Sequence, residues 1–291
     1  MTLNDFFSAL AGIFGLLFVV TSMLAMSLSL SLEQMTQPLK NARLVILALL
    51  ANFVLVPLLA FAITKVIPLE ESLQIGVILL GTAAGAPFIP KLVQGAKGDV
   101  AYAVGLMFLI MVVTIFYLPL ILPVLLPGVE VNPWDIAKSL IVTMLIPLVL
   151  GMLIKSHSPD VADHWAPVMN KISGMSVLIL LVVGLGLNIS NILNFIGTRG
   201  IGAMVLLILG SLLIGLLLGG RDPGIRSAMG LSTANRNGAA ALLVATQNFS
   251  GTDTLPFVLV GVVLLLLVLL PIAKFLGKRS EAAAVPLTQA E

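Results

Sequence analysis

Long apolar runs separated by short polar connections dominate the chain. Nine segments contain the roughly 20 mostly apolar residues that a membrane-spanning helix needs. They lie at about 7–31, 40–66, 72–96, 99–126, 133–154, 165–188, 198–220, 226–249 and 254–276. No connection between them is long enough to hold a soluble domain. The pattern predicts an all-α polytopic membrane protein of about nine spans, with one transmembrane domain over residues 1–279 and a polar, disordered tail over residues 280–291.

The amino-acid composition excludes several kinds of protein and of functional site. Of the 291 residues, 59% are hydrophobic and 10% are charged, whereas a soluble domain carries about 25% charged residues. Cysteine is absent, which excludes disulfides, thiolate metal sites and cysteine nucleophiles. The two histidines, His157 and His164, lie in a polar connection and do not suggest a zinc site. The net charge of +2 does not indicate a nucleic-acid partner. We therefore expect no cofactor, and the lipid bilayer as the surrounding medium.

The positions of lysine and arginine predict the orientation. The first apolar run is too long for a signal-peptide core and has no basic residue before it, so we interpret it as a permanent span. With the N-terminus outside, nine basic residues fall on the cytoplasmic side and three on the outer side. The cytoplasmic residues are Lys40, Arg43, Lys97, Lys155, Arg221, Arg226, Lys274, Lys278 and Arg279, and the outer ones are Lys65, Lys138 and Arg199. We expect a multi-pass plasma membrane protein (the inner membrane in a bacterium) with a cytoplasmic C-terminus.

The third segment contains helix-breaking residues near its centre. Its sequence GTAAGAPFIPK brings Gly81, Gly85, Pro87 and Pro90 close together, followed by Lys91. Proline lacks a backbone donor and glycine loosens the backbone, so the pattern predicts an unwound helix. Freed backbone groups are tolerated in a membrane only when they are buried in protein or line a cavity. The alternative is a simple proline kink.

The eighth segment carries polar residues where a lipid-facing helix has none. They are Ser232, Thr233, Asn235, Arg236 and Asn237, followed by Gly238 as a further helix break. Arg236 lies about 15 Å along a helix from the cytoplasmic end, close to the bilayer midplane. A charge there costs at least about 2.5–3.5 kcal/mol, so it is expected to bind a ligand or a partner. The alternative is a structural arginine that caps backbone carbonyls.

Two interrupted helices in corresponding positions are typical of inverted-repeat transporters, whose substrate site lies at the repeat interface. Half-helix N-termini and two cations favour an anionic substrate there. No acidic residue lies within a span core, so neither a cation site nor a proton relay is indicated. The sequence therefore predicts a secondary transporter of a small organic anion. The candidate contacts are Asn52, Thr82, Lys91, Ser232, Thr233, Asn235, Arg236 and Asn237.

At these segments the chain resembles the bile acid:sodium symporter family. The matching stretches are GVILLGTAAGAPFIPKLVQGAKGDVA, ANFVLVP, RNGAAALLVATQNF and MSLSLSLEQM, and together they cover nearly the whole chain. The resemblance implies a panel domain packed on a core domain in which two discontinuous helices cross. It implies the nine-span form, because the chain starts where the second of ten spans would lie.

The resemblance also implies two sodium sites, and here this chain departs from the family pattern. The first site's Ser-Asn pair corresponds to Ile89 and Pro90, and its hydroxyls to Ala103 and Met107. The second site's residues correspond to Asn52, Ser232 and Arg236. A guanidinium has only donors and cannot bind sodium. We therefore hypothesise that Lys91 and Arg236 supply the positive charge that sodium supplies in relatives.

Three alternatives stay open. A sodium-coupled symporter could retain a remnant site at Asn52. A channel would need a continuous polar pore, and these segments are polar mainly at two breaks. A non-transporting receptor or assembly factor would show no counterflow. An intramembrane enzyme is not indicated, because paired aspartates, a Ser-His or Ser-Lys pair and HExxH are missing. The sequence does not specify the substrate, the coupling ion, the direction of transport or the oligomeric state.

Overall fold

The structure, a computed structural model, describes residues 3–36, 40–126, 132–187, 195, 198–249 and 251–284. Regular structure in these residues is helical throughout, which confirms the predicted all-α class for this part of the chain. The helices are α1 (Leu3–Ser29), α2 (Leu32–Thr36), α3 (Ala42–Val66), α4 (Glu71–Thr82), α5 (Ile89–Gly95), α6 (Val100–Leu125), α7 (Pro133–His157), α8 (Pro159–Leu187), α9 (Gly200–Leu218), α10 (Pro223–Ala234), α11 (Gly238–Asn248) and α12 (Thr254–Ala284).

Several of these helices suit a bilayer. Among the described residues, five helices are long and apolar enough to cross it: α3, α6, α7, α9 and Thr254–Ser280 of α12. The third and eighth predicted segments do not add to this number, because each is divided into two short helices, α4 with α5 and α10 with α11. The chain is therefore a multi-pass membrane protein.

Proline widens two of the long helices by one turn of π-helix. In α3 this turn covers Ala51–Leu55, just before Pro57, and in α7 it covers Ile141–Leu145, just before Pro147. Proline has no N–H to donate to the carbonyl four residues earlier, and a π turn is a common local adjustment. In α3 the turn contains Asn52, whose side chain therefore points into the protein beside the helix interruptions.

The helices form two packed groups. Helices α1, α7 and α8 pack against one another, and a small apolar cluster of Leu28, Ala162 and Ala166 lies between α1 and α8. A buried hydrogen bond of 2.5 Å joins the hydroxyls of Ser22 in α1 and Ser173 in α8. Helices α3 to α6 and α9 to α12 pack around the large apolar core, to which α1 and α7 also contribute side chains such as Met23 and Met144. We call the first group the panel and the second the core bundle.

The last helix is longer than the sequence predicted. Helix α12 continues through Ala284, five residues beyond Arg279 and into the segment that we expected to be a disordered tail. Residues 285–291 of that segment lie outside the described residues. The run SEAAA has high intrinsic helix propensity, because alanine and glutamate are good helix formers, and it continues the helix without a stop signal.

Candidate functional site

The first helix interruption lies between α4 and α5, over residues 83–88. Gly85 adopts a φ of +82°, and a Cβ atom there would lie 2.4 Å from the backbone nitrogen of Met111 in α6. Only glycine fits a left-handed position pressed so closely on another backbone. Pro87 lies in the same loop and supplies no N–H. The chain therefore cannot continue as a helix here.

Two of the predicted helix breakers have other roles. Gly81 lies in the last turn of α4, where a Cβ atom would meet the Cβ of Ala60 in α3 at 2.4 Å. Its function is close helix packing rather than unwinding. Pro90 is the second residue of α5, a position where the missing N–H has no helical partner in any case. The interruption itself is thus carried by Gly85 and Pro87.

The loop's backbone polar groups find partners within the core bundle. The N–H of Ala84 donates to the hydroxyl of Thr114 in α6 at 3.1 Å, and that hydroxyl also lies 3.1 Å from the carbonyl of Ala84. The carbonyl of Ala83 accepts from the N–H of Asn237 at 2.8 Å. Such pairing is what a bilayer demands of non-helical backbone. The sequence offered no signal for Thr114 beyond a hydroxyl inside an apolar helix.

The second interruption, residues 235–237, crosses the first one at Asn237. Its side-chain Nδ2 donates to the carbonyl of Gly85 at 3.1 Å, and its Oδ1 accepts from the N–H of Ala240 at 3.1 Å. Asn237 is therefore both the N-cap of α11 and the bridge to the loop between α4 and α5. Gly238 begins α11, and a Cβ atom there would lie 2.6 Å from a methyl group of Val262 in α12.

Arg236 lies beside this crossing, with a side chain that is 1% exposed. Its Nε donates to the carbonyl of Leu80 at 2.9 Å, and Nη2 donates to the carbonyl of Gly81 at 2.7 Å. Its Nη1 donates to the carbonyl of Thr233 at 3.1 Å and to Oδ1 of Asn52 at 2.9 Å. One of the five guanidinium N–H groups has no partner in these contacts.

The oxygens around Arg236 explain how a charge is held in a dry interior. Leu80 and Gly81 belong to the last turn of α4, and Thr233 belongs to the last turn of α10. Carbonyls of a last turn lack helical partners and form the negative end of the helix dipole. Three such carbonyls and one amide oxygen surround the guanidinium, in the manner of ligands around a metal ion. The cation therefore satisfies the ends of both interrupted helices.

Asn52 is held by contacts on both ends of its amide. Its Nδ2 donates to the carbonyl of Ala48 at 3.0 Å and lies 3.4 Å from the hydroxyl of Thr233, while Oδ1 accepts from Arg236. Because the structure places Asn52 next to Arg236, residues 184 positions apart share one hydrogen-bonded group.

Tyr117 also belongs to this region, although the sequence pattern did not indicate it. Its hydroxyl donates to the carbonyl of Phe53 at 2.8 Å, and the two rings meet edge to face at 4.9 Å. The carbonyl of Phe53 is the one that Pro57 leaves without a helical partner. Pro57, which follows the candidate residue Asn52 by five positions and Phe53 by four, was the available signal that a donor from another helix is needed.

A cavity of about 540 Å³ separates the panel from the core bundle next to the crossing. Its walls are mostly apolar, with Phe18 and Met26 from α1 facing Phe88, Met107 and Leu265 from the core bundle. The polar residues in its lining are Ser22, Ser29, Lys91, Asn170, Ser173, Asn235 and Arg236. This size and composition suit a small organic molecule with an apolar body and a polar head.

The candidate contacts predicted from the sequence divide into two sets. Lys91, Asn235 and Arg236 line the cavity. The structure buries the other five in the helix crossing, away from the cavity lining: Asn52, Thr82, Ser232, Thr233 and Asn237.

Three polar side chains show the difference between the sets. The hydroxyl of Thr82 donates to the carbonyl of Ile78 at 2.7 Å, so it is satisfied within its own helix. Oγ of Ser232 and Nδ2 of Asn235 are both buried and find no partner among the described residues. Asn235 is 3% exposed and lines the cavity, and its Nδ2, buried without a partner, lies next to the space that a bound molecule would occupy.

The residues that the resemblance aligns with the family's first sodium site are apolar in this chain. Ile89, Ala103 and Met107 are buried in the apolar core, and Pro90 lines the cavity. None of these side chains carries an oxygen atom, and sodium, like other hard cations, prefers oxygen ligands. These four residues therefore offer no side-chain ligand for a cation.

Residues 15–195 match the sequence profile of the Sodium Bile acid symporter family, which is well over half of the chain. The chain belongs to the sodium bile acid symporter family. The resemblance inferred from the interrupted segments is thereby confirmed at the level of the family.

Individual relatives in the family are distant. The chain is 24% identical over 253 residues to the "Uncharacterized sodium-dependent transporter YocS" of Bacillus subtilis, covering 82% of this chain and 76% of that protein. It is 25% identical over 237 residues to the "Probable sodium/metabolite cotransporter BASS1, chloroplastic" of Arabidopsis thaliana, covering 80% of this chain and 59% of that protein. It is 24% identical over 192 residues to the "Hepatic sodium/bile acid cotransporter" of Rattus norvegicus, covering 62% of this chain and 52% of that protein. The chain thus spans little more than half the length of the plant and rat proteins.

Proposed function

We propose that the protein is a secondary transporter that moves a small organic anion across the plasma membrane without sodium coupling. Its relatives bear names of sodium/metabolite and bile acid cotransporters, which supports a transport function. In this proposal the chain has nine spans, an outer N-terminus and a cytoplasmic C-terminus. The interrupted pairs α4–α5 and α10–α11 then run in opposite directions through the membrane, as an inverted repeat requires.

Transport proceeds by alternating access, with the core bundle moving against the panel. The cavity supports this division, because it lies between α1 and α8 of the panel and α5, α11 and α12 of the core bundle. It extends from the crossing to Ser29 and Leu30 at the end of α1. In the proposed orientation that end is cytoplasmic, so the conformation described here faces the cytoplasm.

The substrate's charged head binds at Lys91, at Nδ2 of Asn235 and at the remaining N–H of Arg236. These three side chains line one cavity and together offer a positive charge and free donors. The start of α11 lies beside them, since Gly238 and Ala239 also line the cavity. An anion is favoured at such a helix N-terminus. The apolar walls receive the substrate's body.

The contacts of Arg236 are the observation that carries the sodium-independent mechanism. Its guanidinium occupies a cage of four oxygens from α3, α4 and α10, at the position that the family resemblance assigns to the second sodium ion. A tethered cation there does not dissociate during the cycle. It holds the two interrupted helices together in every state, so the crossing needs no ion from solution.

The alternative of a remnant sodium site at Asn52 is disfavoured by the same contacts. The amide oxygen that would bind sodium accepts from Arg236 at 2.9 Å, and a second cation beside the guanidinium would be repelled. Ser232 is the remaining residue of that position, and its hydroxyl is a single buried ligand. A usable sodium site would need several oxygen atoms in addition.

Uptake by reconstituted protein tests the proposal. Proteoliposomes are given labelled pantoate, pyruvate or taurocholate in sodium chloride or in potassium chloride of equal concentration. We expect uptake of at least one anion, at rates that differ by less than about twofold between the two salts. Steep sodium dependence with two sodium ions per anion would refute the tethered-cation mechanism. Failure of every anion to enter or to exchange would favour a receptor.

A further inference from the structure

The amino group of Lys91 differs from the guanidinium of Arg236 in how its charge is balanced. Lys91 is exposed to the cavity, and its Nζ lies over the ring of Phe88, 5.9 Å from the ring centroid. No carboxylate in the described part of the chain forms an ion pair with it. In the open cavity, water is what solvates this charge. Arg236, in contrast, is already surrounded by protein oxygens.

Among the described residues, the cavity lining offers no negatively charged group for Lys91. The lining residues include no aspartate, glutamate or histidine among those that the structure describes. Nδ2 of Asn235 adds a second group without a partner in the same lining. Closing the panel onto the core bundle would remove water from the ammonium group of Lys91, whereas Nδ2 of Asn235 is buried already. An unpaired charge is costly to bury, unless an anion enters with it.

We propose that the protein is an exchanger, in which the core bundle changes sides readily only when an anion occupies the cavity. This inference rests on the proposed function. The anion supplies the counter-charge for Lys91 and accepts hydrogen bonds from Asn235, so the loaded carrier can close. The empty carrier must close around a desolvated ammonium group and returns slowly. Anions on the two sides are therefore exchanged one for one, and net movement is slow.

Exchange and net uptake can be measured in the same proteoliposomes. One set is loaded with unlabelled pantoate, pyruvate or taurocholate and a second set is left empty, with potassium and valinomycin holding the membrane potential at zero in both. The labelled form of the same anion is then added outside. We expect initial uptake to be at least about tenfold faster into loaded vesicles, a difference of about 1.4 kcal/mol in the barrier.

Variants of Lys91 test whether its charge slows the return of the empty carrier or whether the residue has only a structural role. In Lys91→Gln the unbalanced charge is gone, so uptake into empty vesicles should accelerate and the ratio of loaded to empty rates should fall toward one, while the KM for the anion rises. Lys91→Arg keeps the charge and should keep the ratio. Lys65→Gln is a matched control, because Lys65 also lies over a phenylalanine ring, Phe61 at 5.1 Å, but outside the cavity lining.

The outcomes distinguish the two proposals. Equal rates into loaded and empty vesicles for the unmodified protein would overturn exchange and leave anion transport intact. Net uptake that accelerates under an imposed proton gradient would also overturn exchange, because the empty carrier could then return after Lys91 releases its proton. A Lys91→Gln variant that transports with an unchanged ratio would remove Lys91 from the mechanism. If no anion enters under either loading, the proposed function fails, and exchange fails with it.

Discussion

Arg236→Gln tests whether the guanidinium holds the helix crossing together. The arginine makes four hydrogen bonds to oxygens of Leu80, Gly81, Thr233 and Asn52. A glutamine amide has two N–H donors, so at least two of those four oxygens lose their partner. Each buried, unsatisfied acceptor costs about 1–3 kcal/mol, which gives a loss of roughly 2–6 kcal/mol in unfolding free energy without sodium.

The same substitution should create a sodium site. Glutamine adds an acceptor oxygen to the cage that the guanidinium leaves, and hard cations prefer oxygen ligands. An ion that binds only the folded protein stabilises it by RT ln(1 + [ion]/Kd), or about 1.4 kcal/mol at ten times Kd. Sodium should therefore recover part of the stability of Arg236→Gln.

Thermal melting of the purified protein in detergent measures both effects. We compare the wild type, Arg236→Gln and Arg236→Met in sodium chloride and in potassium chloride at equal ionic strength. The glutamine variant should melt on the order of 10 °C below the wild type in potassium and rise by a few degrees in sodium. The methionine variant is the control, because it fills the space without adding an oxygen, and it should respond little to sodium. The reasoning would be refuted if Arg236→Gln had the same melting temperature as the wild type in potassium chloride. It would also be refuted if sodium specifically raised the melting temperature of the wild type.

Two further substitutions test contacts around the crossing. Tyr117→Phe removes the donor to the carbonyl of Phe53 and keeps the ring contact. It should lower the unfolding free energy by about 1–3 kcal/mol, which is measured as a lower melting temperature in detergent. An unchanged melting temperature would show that the carbonyl of Phe53 finds another donor. Gly85→Ala places a Cβ atom 2.4 Å from the backbone of Met111 at a φ of +82°, so little folded protein is expected in size-exclusion chromatography. Gly202→Ala, which meets no atom within 4 Å, is its control and should behave as the wild type.

Features that depend on neighbours along the chain could be predicted from the sequence. Apolar runs long enough to span a membrane form helices whose ends lie close to the predicted ones. Examples are α3 at Ala42–Val66 and α6 at Val100–Leu125. The two interruptions were also local, since Gly85, Pro87 and the row of polar residues after Leu231 cannot continue a lipid-facing helix. The family followed from the same segments and is confirmed.

Features that depend on contacts across the chain could not be predicted. Thr82, Thr233 and Asn235 were equally good candidates for a substrate site by sequence, yet of these three only Asn235 lines the cavity. Hydroxyls inside a helix can bond to their own preceding turn, as Thr82 does with Ile78, and sequence does not show whether they do. Gly81 was predicted as a break and instead serves packing, because its role depends on Ala60 in another helix.

Arg236 shows which properties of a residue follow from the sequence and which depend on tertiary structure. Its position near the centre of an apolar segment is determined by the sequence alone, because it follows directly from the order of apolar and polar residues along the chain. Its direction was decided only by tertiary structure, since the acceptor carbonyls at Leu80 and Gly81 lie 156 and 155 residues away along the chain. A buried cation takes the orientation in which the most oxygens surround it. Which oxygens are present depends on how the ends of two interrupted helices pack together, and a local sequence pattern does not predict that packing.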